Sequence, residues 1–285
     1  MRHPAPAAWA PFPSAPFLRE SETSLPAGPE DLARLRLPRI PPALFLDVDG
    51  TLIEIAPRPD QVRIPPRLPP LLLRLNSLLD GALALVSGRS LADLDRLFGG
   101  IGLAAAGQHG LELRDPTGSV TRTAIDGEEL AEITAQLEGY VRSAPGTLLE
   151  EKGMTVALHF RNVPEREAEA RALAQALLQR HGERFHVQEG KMVLEFKPRG
   201  VDKGTVIERF MTLPPFAGRL PVFVGDDVTD EHGFAAVNRL GGISIQVGDR
   251  EPTAAGFRTP SVGSMASWLE QLAAALDGAG PSRED

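Results

Sequence analysis

Four times along this chain an unbroken apolar run stops abruptly at polar residues. ALFL (43–46) stops at Asp47 and Asp49. ALALV (82–86) stops at Ser87, LAAA (103–106) leads into Gln108 and His109, and LPVFV (220–224) leads into Asp226 and Asp227. Strands that are apolar at every position are buried on both faces, the signature of a parallel sheet covered by helices. The intervening stretches have helical spacing: PPLLLRLNSLLD (69–80), SLADLDRLFG (90–99) with Ser90 as N-cap, DKGTVIERFM (202–211), EHGFAAVNRL (231–240) and SMASWLEQLAAAL (264–276). GISIQV (242–247) supplies one more strand. The expected fold class is therefore α/β, with a Rossmann-like parallel-sheet core.

This alternation breaks between residues 112 and 197. LELRDPTGSVTRT (111–123) reads as a hairpin around Asp-Pro-Thr-Gly. After it, a helix followed by two strands occurs twice: 127–144 with strands around Lys152-Gly153, then 163–182 with strands around Glu189-Gly190. The segment reads as an inserted α+β module of two similar halves. The expected division is a Pro/Ala-rich arm (1–40), a core in two pieces (41–111 and 198–277), the insert (112–197) and a tail (278–285) that frays after Leu276. Within the arm, PEDLARLRL (29–37) has the look of a short helix with Pro29 in its first turn. Trp9, Phe12 and Phe17 could dock on the body, on a partner, or nowhere.

The formal charge of −8 argues against a general nucleic-acid-binding face. With no cysteine, thiol catalysis, disulfides and zinc–thiolate sites are excluded. No apolar stretch approaches the roughly 20 residues that span a bilayer, and prolines interrupt what would be the apolar core of a secretory signal. The expectation is a cytoplasmic protein, a monomer or weak homo-oligomer, that binds neither nucleic acid nor membrane.

In open parallel sheets, ligands bind beyond the carboxyl ends of the strands, where all four polar clusters fall. Carboxylates gathered on one rim repel one another unless a cation lies among them, and oxygen ligands without cysteine favour Mg²⁺. Such a site suits phosphoryl transfer. One Asp attacks phosphorus to form an aspartyl phosphate, and a second, two residues on, serves as acid and then base. Gly50 allows close backbone approach, while Thr51 and Ser87 offer hydroxyl donors. Taken singly, each feature has a plainer reading. Asp-x-Asp recurs in turns and in metal-dependent glycosyltransferases, Ser87 and Asp226-Asp227 could cap helices, and Lys203 could be a solvated helix residue. Their joint occurrence, in order on one rim, favours the chemical reading.

DVDGTL (47–52), Ser87 of VSGR, Lys203 of DKG and GDDVTDE (225–231) together resemble the four ordered motifs of haloacid dehalogenase-type phosphatases. The resemblance implies Asp47 as nucleophile and Asp49 as acid/base, with Lys203 at the reacting group. It implies Mg²⁺ held by Asp47, the main-chain carbonyl of Asp49, and Asp226, supported by Asp227 and Asp230. Phosphate would be bound by Thr51, Ser87, Gly88, Arg89 and Lys203. An αββαββ cap at this point in the chain resembles the subgroup acting on sugar phosphates. GQHG (107–110), EEKGMTVALHFR (150–161) and GKMVLEFKP (190–198) are similar to the trehalose-6-phosphate phosphatase family. That implies a sugar site made by His109, Glu150, Lys152, Arg161, Lys191 and Glu195. Gln108 departs from the acidic or small residue also common there. The rival expectations are a phosphatase for sucrose phosphate or mannosylglycerate phosphate, a phosphomutase, or a regulatory phospho-accepting module.

Overall fold

A computed structural model describes residues 30–31, 41–56, 62–125, 127–190 and 192–278. In chain order the first elements are β1 (Glu30–Asp31), β2 (Pro42–Leu46), α1 (Leu68–Leu78), β3 (Leu83–Val86), α2 (Leu91–Phe98) and β4 (Ala104–Gly107). A hairpin follows, β5 (Glu112–Arg114) and β6 (Val120–Arg122). Next come α3 (Gly127–Ser143), β7 (Leu148–Glu151), β8 (Val156–His159), α4 (Glu167–His181), β9 (Phe185–Gly190) and β10 (Val193–Pro198). The chain closes with α5 (Lys203–Phe210), β11 (Leu220–Gly225), α6 (Glu231–Arg239), β12 (Ile243–Val247), β13 (Phe257–Thr259) and α7 (Val262–Gly278).

The described strands form two sheets. The larger has the order β1-β13-β12-β11-β2-β3-β4-β5-β6 and is parallel from β1 to β4. Every residue of β2, β3 and β4 is buried, as continuous apolar runs require. Helices α1 and α7 pack together, as do α5 and α6. Phe45 of β2 stacks on Phe216 at 5.3 Å and tilts against Phe210 of α5, tying sheet to helix. Ser90 accepts from the Asp93 amide and Asp202 from the Thr205 amide, so both the α2 and α5 N-termini are capped by side chains.

The smaller sheet is antiparallel, in the order β7-β8-β10-β9. Its apolar face carries Val156, Leu158, Leu194 and Phe196, which pack with Leu130, Ile133 and Leu137 of α3 and Ala170, Ala174 and Leu177 of α4. This is the α+β insert, with its own core. Among the described residues, no helix is long and apolar enough to cross a membrane.

Some local expectations need correction. The hairpin at 112–122, assigned to the insert, extends the larger sheet, because β5 pairs antiparallel with β4. Glu30 and Asp31 are not helical but pair in parallel with Phe257 and Arg258. The turn between β9 and β10 falls later than Glu189-Gly190: Gly190 still pairs with Val193, and Met192 turns the chain at φ 62°. Helix α7 continues past Leu276 to Gly278. The rest of the arm, the remaining tail and Lys191 lie outside the described residues.

Candidate active site

Strands β11, β2, β3 and β4 are adjacent and parallel, so their carboxyl ends share one rim. From β2 the chain runs to β3 on one side, and after the insert and α5 it returns to β11 on the other, which opens a crevice at this point. Asp226, Asp47, Ser87 and Gln108-His109 follow directly on these four strands.

After β2 the chain wraps tightly. The Val48 carbonyl accepts from the Leu52 and Ile53 amides at 2.9 and 3.1 Å, and the Gly50 amide donates back to Ile53 O at 2.8 Å. Gly50 has φ 81°, and a Cβ on it would lie 2.1 Å from Asp226 Oδ2. Only glycine leaves room for that carboxylate.

Lys203, 3% exposed, links the two halves of the core: Nζ donates to Asp47 Oδ1 at 2.7 Å and to Asp230 Oδ1 at 2.6 Å. Asp230 is fully buried, and its Oδ2 accepts from the Asp226 and Asp227 amides at 3.0 and 2.9 Å. Asp230 is therefore a brace for the loop, with both oxygens engaged. Asp227 is exposed and contributes through its backbone.

Asp47, Asp226 and Asp230 offer carboxylate oxygens within 4.8 Å of one another. Three carboxylates face one ammonium. Burial, reinforced by Asp230 and opposed by Lys203, pushes Asp47 up to about 7. Burial, with Asp47 and Asp230 beside it, pushes Asp226 up to about 8. On Lys203, burial acts downward, but Asp230 and Asp47 outweigh it and the net shift is upward. A small divalent cation with oxygen preference fits this excess of negative charge and this donor set.

The phosphate-binding candidates surround the cluster. Thr51, fully buried, donates to Asp226 Oδ1 at 3.4 Å. Ser87 is buried, and its Oγ accepts from the Arg89 amide at 3.2 Å. A Cβ on Gly88 would lie 2.7 Å from His109 Nε2, so the bare backbone there makes room for the imidazole. Arg89 is not open to a ligand here: Nε and Nη2 grip Asp49 Oδ2 and Oδ1, both at 2.6 Å. This bidentate grip raises the Arg89 pKa. The Asp49 side chain therefore faces Arg89, apart from the carboxylate cluster.

Across the smaller sheet, Glu150, Ala157, Glu195 and Gln188 are in register, so they share the face away from α3 and α4. Glu195 accepts from Thr155 Oγ1 at 2.7 Å and Lys152 Nζ at 3.4 Å. Glu150 lies 2.9 Å from His159 Nε2, and that hydrogen bond is the main reason its pKa is lowered. Arg161 is exposed at the turn after β8, apart from this network. His109 Nδ1 and Gln108 Oε1 are buried with no hydrogen-bond partner among the described residues. Burial holds the His109 pKa well below its ordinary value, helped by Lys197, Lys203, Lys152 and His186. Charges on the polar face of the insert and on the rim of the core thus both act on His109. Thr155, His159, Gln188 and Lys197 were missed from sequence. Their signal was the period-two alternation that puts them on the same face as Glu150 and Glu195.

Residues 45–262 match the family model for trehalose-phosphatase. The chain is 45% identical over 234 residues to the trehalose-6-phosphate phosphatase of Escherichia coli (strain K12), covering 82% of this chain and 87% of that one. It is 46% identical over 210 residues to a probable trehalose-phosphate phosphatase of Sinorhizobium fredii, covering 74% and 79%. The C-terminal domain of the Candida albicans trehalose-6-phosphate phosphatase superposes with a TM-score of 0.71 at 22% identity, over 82% of this chain and 92% of that one, a likeness of fold.

Proposed function

The chain belongs to the trehalose-phosphatase family and is a trehalose-phosphate phosphatase, and from that premise we propose that the phosphoryl group passes through Asp47 with Mg²⁺ as cofactor. The observation that carries this reading is the buried Asp47–Lys203–Asp230 chain beside Asp226. It holds one carboxylate against an ammonium where a phosphate dianion would otherwise be repelled.

In this reading Lys203 fixes the Asp47 carboxylate and opposes the charge of the phosphoryl oxygens. Asp47 attacks phosphorus as the bond to the sugar oxygen breaks, and Asp49 gives that oxygen its proton. Asp49 then takes a proton from water, the water oxygen attacks phosphorus, and the bond to Asp47 breaks to release phosphate. Arg89 must leave Asp49 for this to proceed, and a phosphate dianion offers its fork an alternative bidentate partner. Asp47, Asp226 and the Asp49 carbonyl would hold Mg²⁺, which supplies positive charge to the phosphoryl oxygens. Ser87, Thr51 and the Gly88 backbone line the phosphate end. Asp230 and Asp227 brace the loop. The insert acts as the cap that selects the sugar, with Glu150, Lys152, Glu195 and His109 toward it, and Arg161 and Lys191 as further members.

The test is phosphate release from trehalose 6-phosphate, sucrose 6-phosphate and glucose 6-phosphate, with Mg²⁺ and with chelator. Release from the first alone, lost with chelator, is expected. Release that survives chelation would remove the metal, and efficient release from sucrose 6-phosphate would overturn the reading of the cap. Glu195→Ala leaves Thr155 and Lys152 without their acceptor and removes a hydroxyl partner. It should lower kcat/KM for trehalose 6-phosphate by about 10- to 100-fold, with far less effect on a small aryl phosphate. Equal losses on both would take Glu195 out of the sugar site.

A further inference from the structure

Lys197 stands apart from the residues assigned so far. It lies on β10 two positions after Glu195, hence on the same polar face, and is 3% exposed. Its Nζ donates to Gln188 Oε1 at 2.7 Å, a neutral acceptor. An ammonium has three donors and is almost never buried without a counter-charge, yet no ion pair holds this one among the described residues. Pro198 follows it, and the chain reaches Lys203 five residues further on. Lys197 is therefore at the end of the cap sheet that leads back to the phosphate rim.

We propose that Lys197 is a substrate-binding residue, the cation that the cap presents to the phosphate-bearing end of the bound sugar phosphate. This rests on the site proposed above. A buried lysine with a neutral partner is costly in the empty site and becomes favourable when a dianion arrives beside it. Its surroundings agree with that role. Burial lowers Lys197 to about 7, with Lys203 and Lys152 adding to the shift and Glu195 and Asp202 opposing it. Burial lowers His186 on β9 and His109 on the rim, and Lys197 adds to both shifts. The sign follows directly. Below pH 7 the free site already carries the ammonium. Above it, binding must take up a proton, so affinity falls as pH rises.

The experiment uses the full chain in saturating Mg²⁺. Wild-type KM for trehalose 6-phosphate should rise about fivefold from pH 7 to pH 8. Lys197→Met should flatten that slope and raise KM at pH 7 by about tenfold, the loss falling on KM more than on kcat. Arginine keeps its charge over this range, so Lys197→Arg should flatten the slope while binding more tightly than the Met variant. A wild-type slope retained in Lys197→Met overturns the proposal. Should that variant fail to fold, calorimetry of inorganic phosphate binding at pH 8 in saturating Mg²⁺, in two buffers of different ionisation enthalpy, compares wild type with Lys197→Arg. Wild type is expected to take up about one proton more per phosphate than Lys197→Arg, because Asp47 and Asp226 contribute alike to both, and equal uptake overturns the assignment. Failure of the wild type to release phosphate from trehalose 6-phosphate at any pH would instead sink the functional reading.

Discussion

Asp47→Asn is expected to lower phosphate release from trehalose 6-phosphate by about 10⁴-fold or more while the protein stays folded. The substitution is nearly isosteric, and its amide oxygen can still accept from Lys203. Lys203 also keeps its 2.6 Å bond to Asp230, so the loop after β11 retains its brace. In the proposed mechanism, what is lost is the anionic oxygen that attacks phosphorus. A thermal midpoint within a few degrees of wild type, read beside the rate, separates lost chemistry from lost structure. Turnover within tenfold of wild type would remove Asp47 as the attacking group.

Lys203→Met should damage stability and activity together. It leaves Asp47 and Asp230 buried without their shared ammonium. Breaking a buried ion pair from one side costs about 3–5 kcal/mol, which for a domain of this size corresponds to roughly 10 °C in Tm. The deficit should also depend on pH. Asp47 is already raised to about 7 by burial despite Lys203, and removing the lysine raises it further. A carboxylate with a raised folded-state value binds more protons folded than unfolded, so its destabilising effect grows as pH rises. The Tm gap between variant and wild type should be larger at pH 8 than at pH 6. An equal gap at both would show that the ammonium does not hold these carboxylates in place.

Much of the candidate site is legible in the sequence. Asp47, Ser87, His109 and Asp226 were placed on one rim because each ends an apolar run, and parallel buried strands put equivalent ends on the same side. The helix-strand-strand repeat of the insert was legible from its hairpins and amphipathic helices. The hairpin at 112–122, read with the insert, joins the larger sheet, because alternation shows that strands pair, not which sheet they join. Strands β1 and β13 are two and three residues long, too short for any period to register, and exist through long-range pairing.

The same division runs through the chemistry. The kinds of residue, their order and the rim they share were determined by the sequence alone, because local periodicity and strand polarity suffice to decide them. The grip of Arg89 on Asp49, the double engagement of Asp230 and the burial of Lys197 against Gln188 were decided only by tertiary structure. Each depends on which distant groups come within a few ångströms, and on how little water remains between them. Hydrogen bonding and pKa respond to those two quantities, and neither is a property of a local stretch of chain.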